Sequence, residues 1–129
     1  MGDLTGKSVL VTGAGGFIGT HLVKRLLTEG ANVFALDRKP TQNMPISYFN
    51  ADLCDTNFLN NVIMQINPQI IVHLAACMDK AASEKEVMAV NYQGTINLLN
   101  ALESVQYERF IYISTSELYF GNKTPFTEQ

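Results

Sequence analysis

The stretch Ser8–Leu22, SVLVTGAGGFIGTHL, decides how the rest of the chain is read. It opens on a short apolar run, Val9-Leu10-Val11, of the length and composition of a buried strand. It then turns on glycines and resumes with apolar residues at Phe17, Ile18, Leu22, Val23, Leu26 and Leu27, the spacing of one helix face. A strand, a glycine turn and a helix present free backbone N–H groups and the positive end of a helix dipole to a phosphate. The glycines divide the work: Gly13 permits the sharp turn, Gly16 lets a pyrophosphate approach the backbone, and Gly19 lets the helix pack closely on the sheet. Read as GxGxxG from Gly13 the pattern fails, because Ile18 stands where the last glycine belongs. TGxxGxxG fits instead, as Thr12, Gly13, Gly16 and Gly19. The expectation is a dinucleotide-binding turn.

Working outward, the helix from Phe17 stops near Glu29 at Gly30, a glycine placed to end it. Asn32–Leu36 is a second apolar run that ends in Asp37-Arg38-Lys39-Pro40. An acidic residue closing the second strand, about 20 residues past the glycines, is the feature that holds an adenosine ribose by its hydroxyls; the plainer reading of Asp37 is a loop cap. Ile46–Phe49 reads as a short third strand. Asp55 or Thr56 can cap a helix with Phe58, Leu59, Val62, Ile63 and Ile66 on one face, ended by Asn67-Pro68. Ile70–Leu74 is a fourth strand, Ser83 caps a long helix to about Val105, and Arg109–Ile113 is a fifth strand. Strands alternating with helices imply a doubly wound parallel sheet of the Rossmann type, with helices on both faces and strand order 3-2-1-4-5. Ligands bind such a sheet at the carboxyl ends of strands one and four, where the winding reverses, and Gly13, Asp37, Asp52, Ala75 and Thr115 all fall on that edge.

The 129 residues suit one domain with a sizeable core. A net charge of −3 and a pI near 5.2 argue against nucleic acid or an anionic membrane as partner. No apolar run approaches the roughly 18 residues of a membrane span, and no signal-like segment opens the chain. Met1-Gly2 invites N-myristoylation, but Gly6 stands where Ser or Thr is required. Cys54 and Cys77 lack metal-ligand spacing and are expected to be reduced structural thiols in a cytoplasmic protein, with no metal site.

Six ordered segments resemble the NAD-dependent epimerase/dehydratase family of nucleotide-sugar enzymes, the extended short-chain dehydrogenases/reductases. They are TGAGGFIG, the strand-end Asp37, ADL at Ala51–Leu53, HLAA at His73–Ala76, NYQGT at Asn91–Thr95, and FIYISTSELY at Phe110–Tyr119. The resemblance implies an NAD site on Gly13, Gly16, Phe17, Ile18 and Gly19, on Asp37, on Asp52 and Leu53 beside the adenine, and along the backbone of Leu74, Ala75 and Ala76. It also implies that the Thr115 hydroxyl binds the sugar at the carbon being oxidised. STSELY is similar to the segment of GDP-mannose 4,6-dehydratases and UDP-glucuronate decarboxylases, and by that likeness Glu117 is an acid/base near the sugar ring. The alternative is a Glu117 that faces solvent or pairs with a cation. NAD is expected over NADP, because a 2′-phosphate near the Asp37 carboxylate would be repelled.

The family's YxxxK lies beyond the segment matching Phe110–Tyr119, so the chain reads as the cofactor-binding N-terminal portion of a larger enzyme, inactive alone. The formal YxxxK at Tyr119–Lys123 contains Gly121-Asn122 ahead of Pro125, which signals a turn and not the helix that would stack Tyr on Lys. No GxSxG elbow is present. His73 is expected to be a packed histidine beside the cofactor, and His21 has no partner motif. The implied chemistry is hydride abstraction from a nucleotide-sugar carbon, followed by epimerisation, elimination or decarboxylation. A rival of another class is a non-catalytic dinucleotide-sensing or partner-binding module on the same fold; a third is a reductase of a non-sugar alcohol. The Ser83–Val105 helix is apolar on more than one side, with Met88, Tyr92, Ile96 and Leu99 on its flanks, and a homodimer through it is expected.

Overall fold

The computed structural model describes residues 2–39, 44–115 and 121. Five parallel strands, β1 (Ser8–Thr12), β2 (Asn32–Asp37), β3 (Ser47–Asn50), β4 (Ile70–His73) and β5 (Arg109–Tyr112), form one sheet in the order β3-β2-β1-β4-β5. This is the doubly wound arrangement expected. β1 lies at the centre, with Leu10 opposite Phe34 of β2 and Ile71 of β4. The winding reversal therefore falls between β1 and β4, where the glycine turn begins.

Helix α1 (Phe17–Thr28) covers one face of the sheet, and α2 (Thr56–Ile66) covers the other together with a helical run made of α3 (Glu84–Met88), a π-helical segment (Ala89–Gly94) and α4 (Thr95–Leu102). Because successive strand residues point to opposite faces, each strand supplies two cores. Val9, Val11, Val33, Ala35 and Val72 pack with Val23 and Leu26 of α1. Leu10, Leu36 and Ile71 pack with Leu59, Val62 and Ile63 of α2 and with Leu98 and Leu102 of α4.

The helix ends follow local chemistry. Gly30, at φ +79°, ends α1, and Asn67, at φ 46°, ends α2. Asp55 caps α2 by accepting the Phe58 N–H at 3.0 Å. Ser83 and Glu86 form a reciprocal capping box at the start of α3, and the Ser83 N–H and hydroxyl donated to Glu86 hold its carboxyl below the usual carboxylate range.

Two expectations need correction. The helix starting after Ser83 stops at Leu102 and not near Val105, and it is not uniformly α-helical, because the π-helical segment interrupts it. Gly19 is indispensable for a different contact from the one inferred: a Cβ there would collide with the Gly13 carbonyl and sit 2.7 Å from the Ala14 Cα. It is the glycine turn itself, not the strand, that presses on the helix.

Candidate functional site

A cleft of about 980 Å³ opens at the carboxyl ends of the strands. Its walls are the glycine turn, Asp37–Lys39 after β2, Asp52 and Leu53 after β3, residues 73–79 after β4, and residues 112–115 after β5. Every described residue assigned to the site from sequence lines this one cleft: Gly13, Gly16, Phe17, Ile18, Gly19, Asp37, Asp52, Leu53, Leu74, Ala75, Ala76 and Thr115. Glu117 and the Tyr119–Lys123 pair lie outside the described residues.

The turn is built to bring backbone close to whatever fills the cleft. Gly13 sits at φ +68°, and a Cβ on it would stand 2.7 Å from the Ala75 nitrogen, so β1 and β4 can close together only over a glycine. At Gly16 a Cβ would meet only the Gly13 carbonyl, at 3.3 Å, so that wall is open. Gly16 caps α1 without a side-chain hydrogen bond, and no acidic residue occupies the first turn. The N–H groups of Phe17, Ile18 and Gly19 meet no acceptor among the described residues. Phe17 is 83% and Ile18 60% exposed, so the helix start offers apolar surface and donor N–H groups to the same space. Unpaired donors at the positive end of a helix dipole suit an anionic group.

The far end of the cleft carries a carboxylate. Asp37 accepts the Gly15 N–H at 2.8 Å on one oxygen and the Lys39 N–H at 2.9 Å on the other. A Cβ on Gly15 would come within 3.1 Å of that first oxygen, so any larger residue there would push the carboxylate back by a few tenths of an ångström. Asp52 accepts the Cys54 N–H at 2.9 Å. Burial, then the Asp52 carboxylate beside it, pushes the Cys54 thiol up, with the Arg38 guanidinium pulling the other way.

Beneath the floor runs a buried relay. The Ala75 N–H donates to Thr12 Oγ1 (3.2 Å), Thr12 Oγ1 pairs with His73 Nδ1 (2.6 Å), and His73 Nε2 pairs with Thr95 Oγ1 (2.8 Å). Thr95 in turn donates to the Asn91 carbonyl at 3.0 Å. With that hydroxyl already committed as a donor, Nε2 must carry the ring proton and Nδ1 must accept from Thr12. Burial pushes the His73 pKa down to about 4, so the ring is neutral in this relay. The Asn91 side chain accepts from Cys77 N–H at 2.6 Å and donates to the Cys77 carbonyl at 3.3 Å, which fastens the loop after β4 to the π-helical segment.

His73 is thus the packed histidine that was expected. Its partners were not foreseen, nor was Gly15. The extra glycine in GAGG was the available signal for Gly15; nothing in NYQGT shows from sequence alone that its Asn and Thr bind β4 and the loop after it. Among the described residues no cluster of His, Cys, Asp or Glu could hold a metal ion, and no helix is long and apolar enough to cross a membrane.

A glycine-lined cleft at the winding reversal of a parallel sheet ordered 3-2-1-4-5 defines a domain of the Rossmann type. The chain belongs to the NAD dependent epimerase/dehydratase family, which it matches over residues 9–129. It is 33% identical, over 95% of its length, to a UDP-N-acetyl-alpha-D-glucosaminuronate decarboxylase from Bacillus cytotoxicus, and it covers 40% of that protein. Among solved structures, an epimerase from Methanothermobacter thermautotrophicus superposes with a TM-score of 0.87 at 30% identity, over 96% of this chain and 40% of that one. A UDP-glucose 4-epimerase from Thermus thermophilus, in complex with NAD, does so with a TM-score of 0.76 at 33% identity, over 84% of this chain and 37% of that one. The chain therefore spans about two fifths of the length of these relatives.

Proposed function

We propose that this chain binds NAD in the cleft and forms the cofactor-binding portion of an enzyme acting on a nucleotide sugar. The observation that carries the reading is the pairing of two recognition ends in one cleft: donor N–H groups at the start of α1 and the Asp37 carboxylate beside Gly15. The residues fit the cofactor. The pyrophosphate is held by the N–H groups at the head of α1, with Gly16 leaving room for it, and the adenosine ribose hydroxyls bind Asp37. Asp52 and Leu53, on the cleft wall, would hold the adenine, and the cleft-lining segment from Leu74 to Ala76 would hold the remainder. When bound, NAD supplies a hydride acceptor for a sugar carbon, which permits epimerisation, elimination or decarboxylation. This chain's own residues bind and orient. Thr115, exposed on the cleft wall after β5, directs the reacting hydroxyl, and Glu117, two residues on in the sequence, is the acid/base candidate.

The relatives support this reading at the level of class, since one is a nucleotide-sugar decarboxylase and another a UDP-glucose epimerase with NAD. Their greater length supports reading these residues as one domain of a longer enzyme. A cytoplasmic setting suits the two free cysteines. A homodimer through the 84–102 helical run completes the proposal, with Met88, Tyr92 and Leu99 exposed and Ile96 half-buried on its flanks.

Calorimetric titration of NAD and NADP against the wild-type chain and Asp37→Ser tests the cofactor assignment. A 2′-phosphate charge about 4 Å from a carboxylate is opposed by about 4 kcal/mol at an effective dielectric near 20. The wild type is expected to bind NAD far more tightly than NADP, and Asp37→Ser to narrow the gap. Equal or tighter NADP binding by the wild type would overturn it.

A further inference from the structure

Asp37 and Arg38 are neighbours of opposite charge on one wall of the cleft. The backbone on either side of Arg38 is tied to a side chain from the next strand. Tyr48 of β3, opposite Ala35 of β2 in the register, points its hydroxyl at the turn after β2. That hydroxyl is 2.8 Å from the Asp37 carbonyl and 2.6 Å from the Lys39 carbonyl, so one O–H is shared between the carbonyls of the two residues that flank Arg38. Burial, and then the Asp37 charge, raises the phenol pKa, which keeps the hydroxyl a donor. With both carbonyls gathered on one donor, the turn is tight enough for the Lys39 N–H to reach the Asp37 carboxylate and for its other oxygen to reach Gly15. Arg38 lines the same cleft wall, and its charge reaches the Cys54 thiol beside Asp52.

We propose that Tyr48 is a specificity-determining positioning residue, which holds the turn after β2 so that Asp37, and not Arg38, meets the adenosine 2′ position. The inference rests on the NAD reading above and adds to it a residue that need not touch the cofactor. Removing the phenolic oxygen frees both carbonyls. The carboxylate then loses its fixed approach to the 2′-hydroxyl, and the guanidinium gains access to a 2′-phosphate, which it would bind through charge-assisted hydrogen bonds.

The test is a pair of titrations, NAD and NADP, on the full chain as wild type, Tyr48→Phe and Phe49→Leu. Phe49→Leu is an equally mild change on the same strand, with a half-buried side chain packed on the core shared with α2. Amide hydrogen exchange at Gly15 and Lys39, which report the two bonds to Asp37, is followed alongside. Tyr48→Phe is expected to lower the NAD-to-NADP affinity ratio about tenfold, the scale of one lost hydrogen bond. Exchange at Gly15 and Lys39 should rise, and Phe49→Leu should leave the ratio unchanged. A Tyr48→Phe chain that weakens on both cofactors equally, or keeps the wild-type ratio, would overturn the proposal while leaving the NAD reading standing. A wild-type chain that binds neither cofactor would overturn both.

Discussion

His73 shows how much of this site depends on a residue that serves by its hydrogen bonds and not as a reagent. It is 2% exposed and hydrogen-bonded on both ring nitrogens, to Thr12 at the end of β1 and to Thr95 at the start of α4. Protonation would give the ring a second donor facing Thr12, whose hydroxyl already spends its hydrogen on Nδ1. Burial sets the folded pKa at about 4, against an ordinary value of 6.5. Between those values the unfolded chain holds a proton that the folded chain does not. The stability this residue contributes is complete above pH 6.5 and is lost as the pH falls toward 4, by roughly 3 kcal/mol in all. Urea unfolding from pH 7 to pH 4 should show that slope in the wild type and lose it in His73→Gln. An identical pH dependence in the two proteins would show that the relay carries no such linkage. From sequence, His73 was legible only as a buried histidine at a strand end. Its partners stand 61 and 22 residues away, and no local pattern announces contacts of that range.

The elements were more legible than the contacts between them, for a physical reason. Strand runs, helix faces, the Asp55 and Ser83 caps and the Gly30 terminus are local signals, and all appear where their chemistry puts them. The π-helical turn at Ala89–Gly94 is not local. Gly94 faces Leu53, whose Cβ would lie 3.0 Å from a Cβ on that glycine, while Asn91 and Thr95 serve partners on the loop after β4 and on β4. Tertiary contacts, not propensity, accompany the widened turn. The same helical run leaves Met88 50%, Tyr92 58% and Leu99 41% exposed, along a flank where a surface helix would ordinarily be polar. Self-association through this flank follows from the proposed dimer. Sedimentation velocity at rising concentration should show a reversible shift to larger species, abolished by Ile96→Glu. A concentration-independent monomer in both proteins would contradict it.

At the scale of the molecule, one sheet edge carries the recognition groups and the opposite edge carries structural pins. Lys7 pairs with Glu108 at 2.6 Å, and Gln69 joins Glu108 to the start of β1 through Ser8. These bonds secure the amino ends of β1, β4 and β5, far from the cleft. Strand order and the position of the cleft were readable from the sequence, because alternating elements and a glycine turn after the first strand leave few topologies. The chemistry after β5 was readable only by resemblance, and Glu117 lies outside the described residues. The central claim is that the cleft is an NAD site held at both ends. Amide chemical-shift mapping of the isotopically labelled chain during NAD titration addresses it most directly. Saturable shifts are expected, confined to the cleft walls: Gly15–Gly19, Asp37–Lys39, Asp52–Leu53 and Ala75–Cys77, with Lys7, Gln69 and Glu108 unmoved. Shifts that never saturate, or that centre on the pinned edge and leave the Gly15 and Phe17 amides in place, would contradict it.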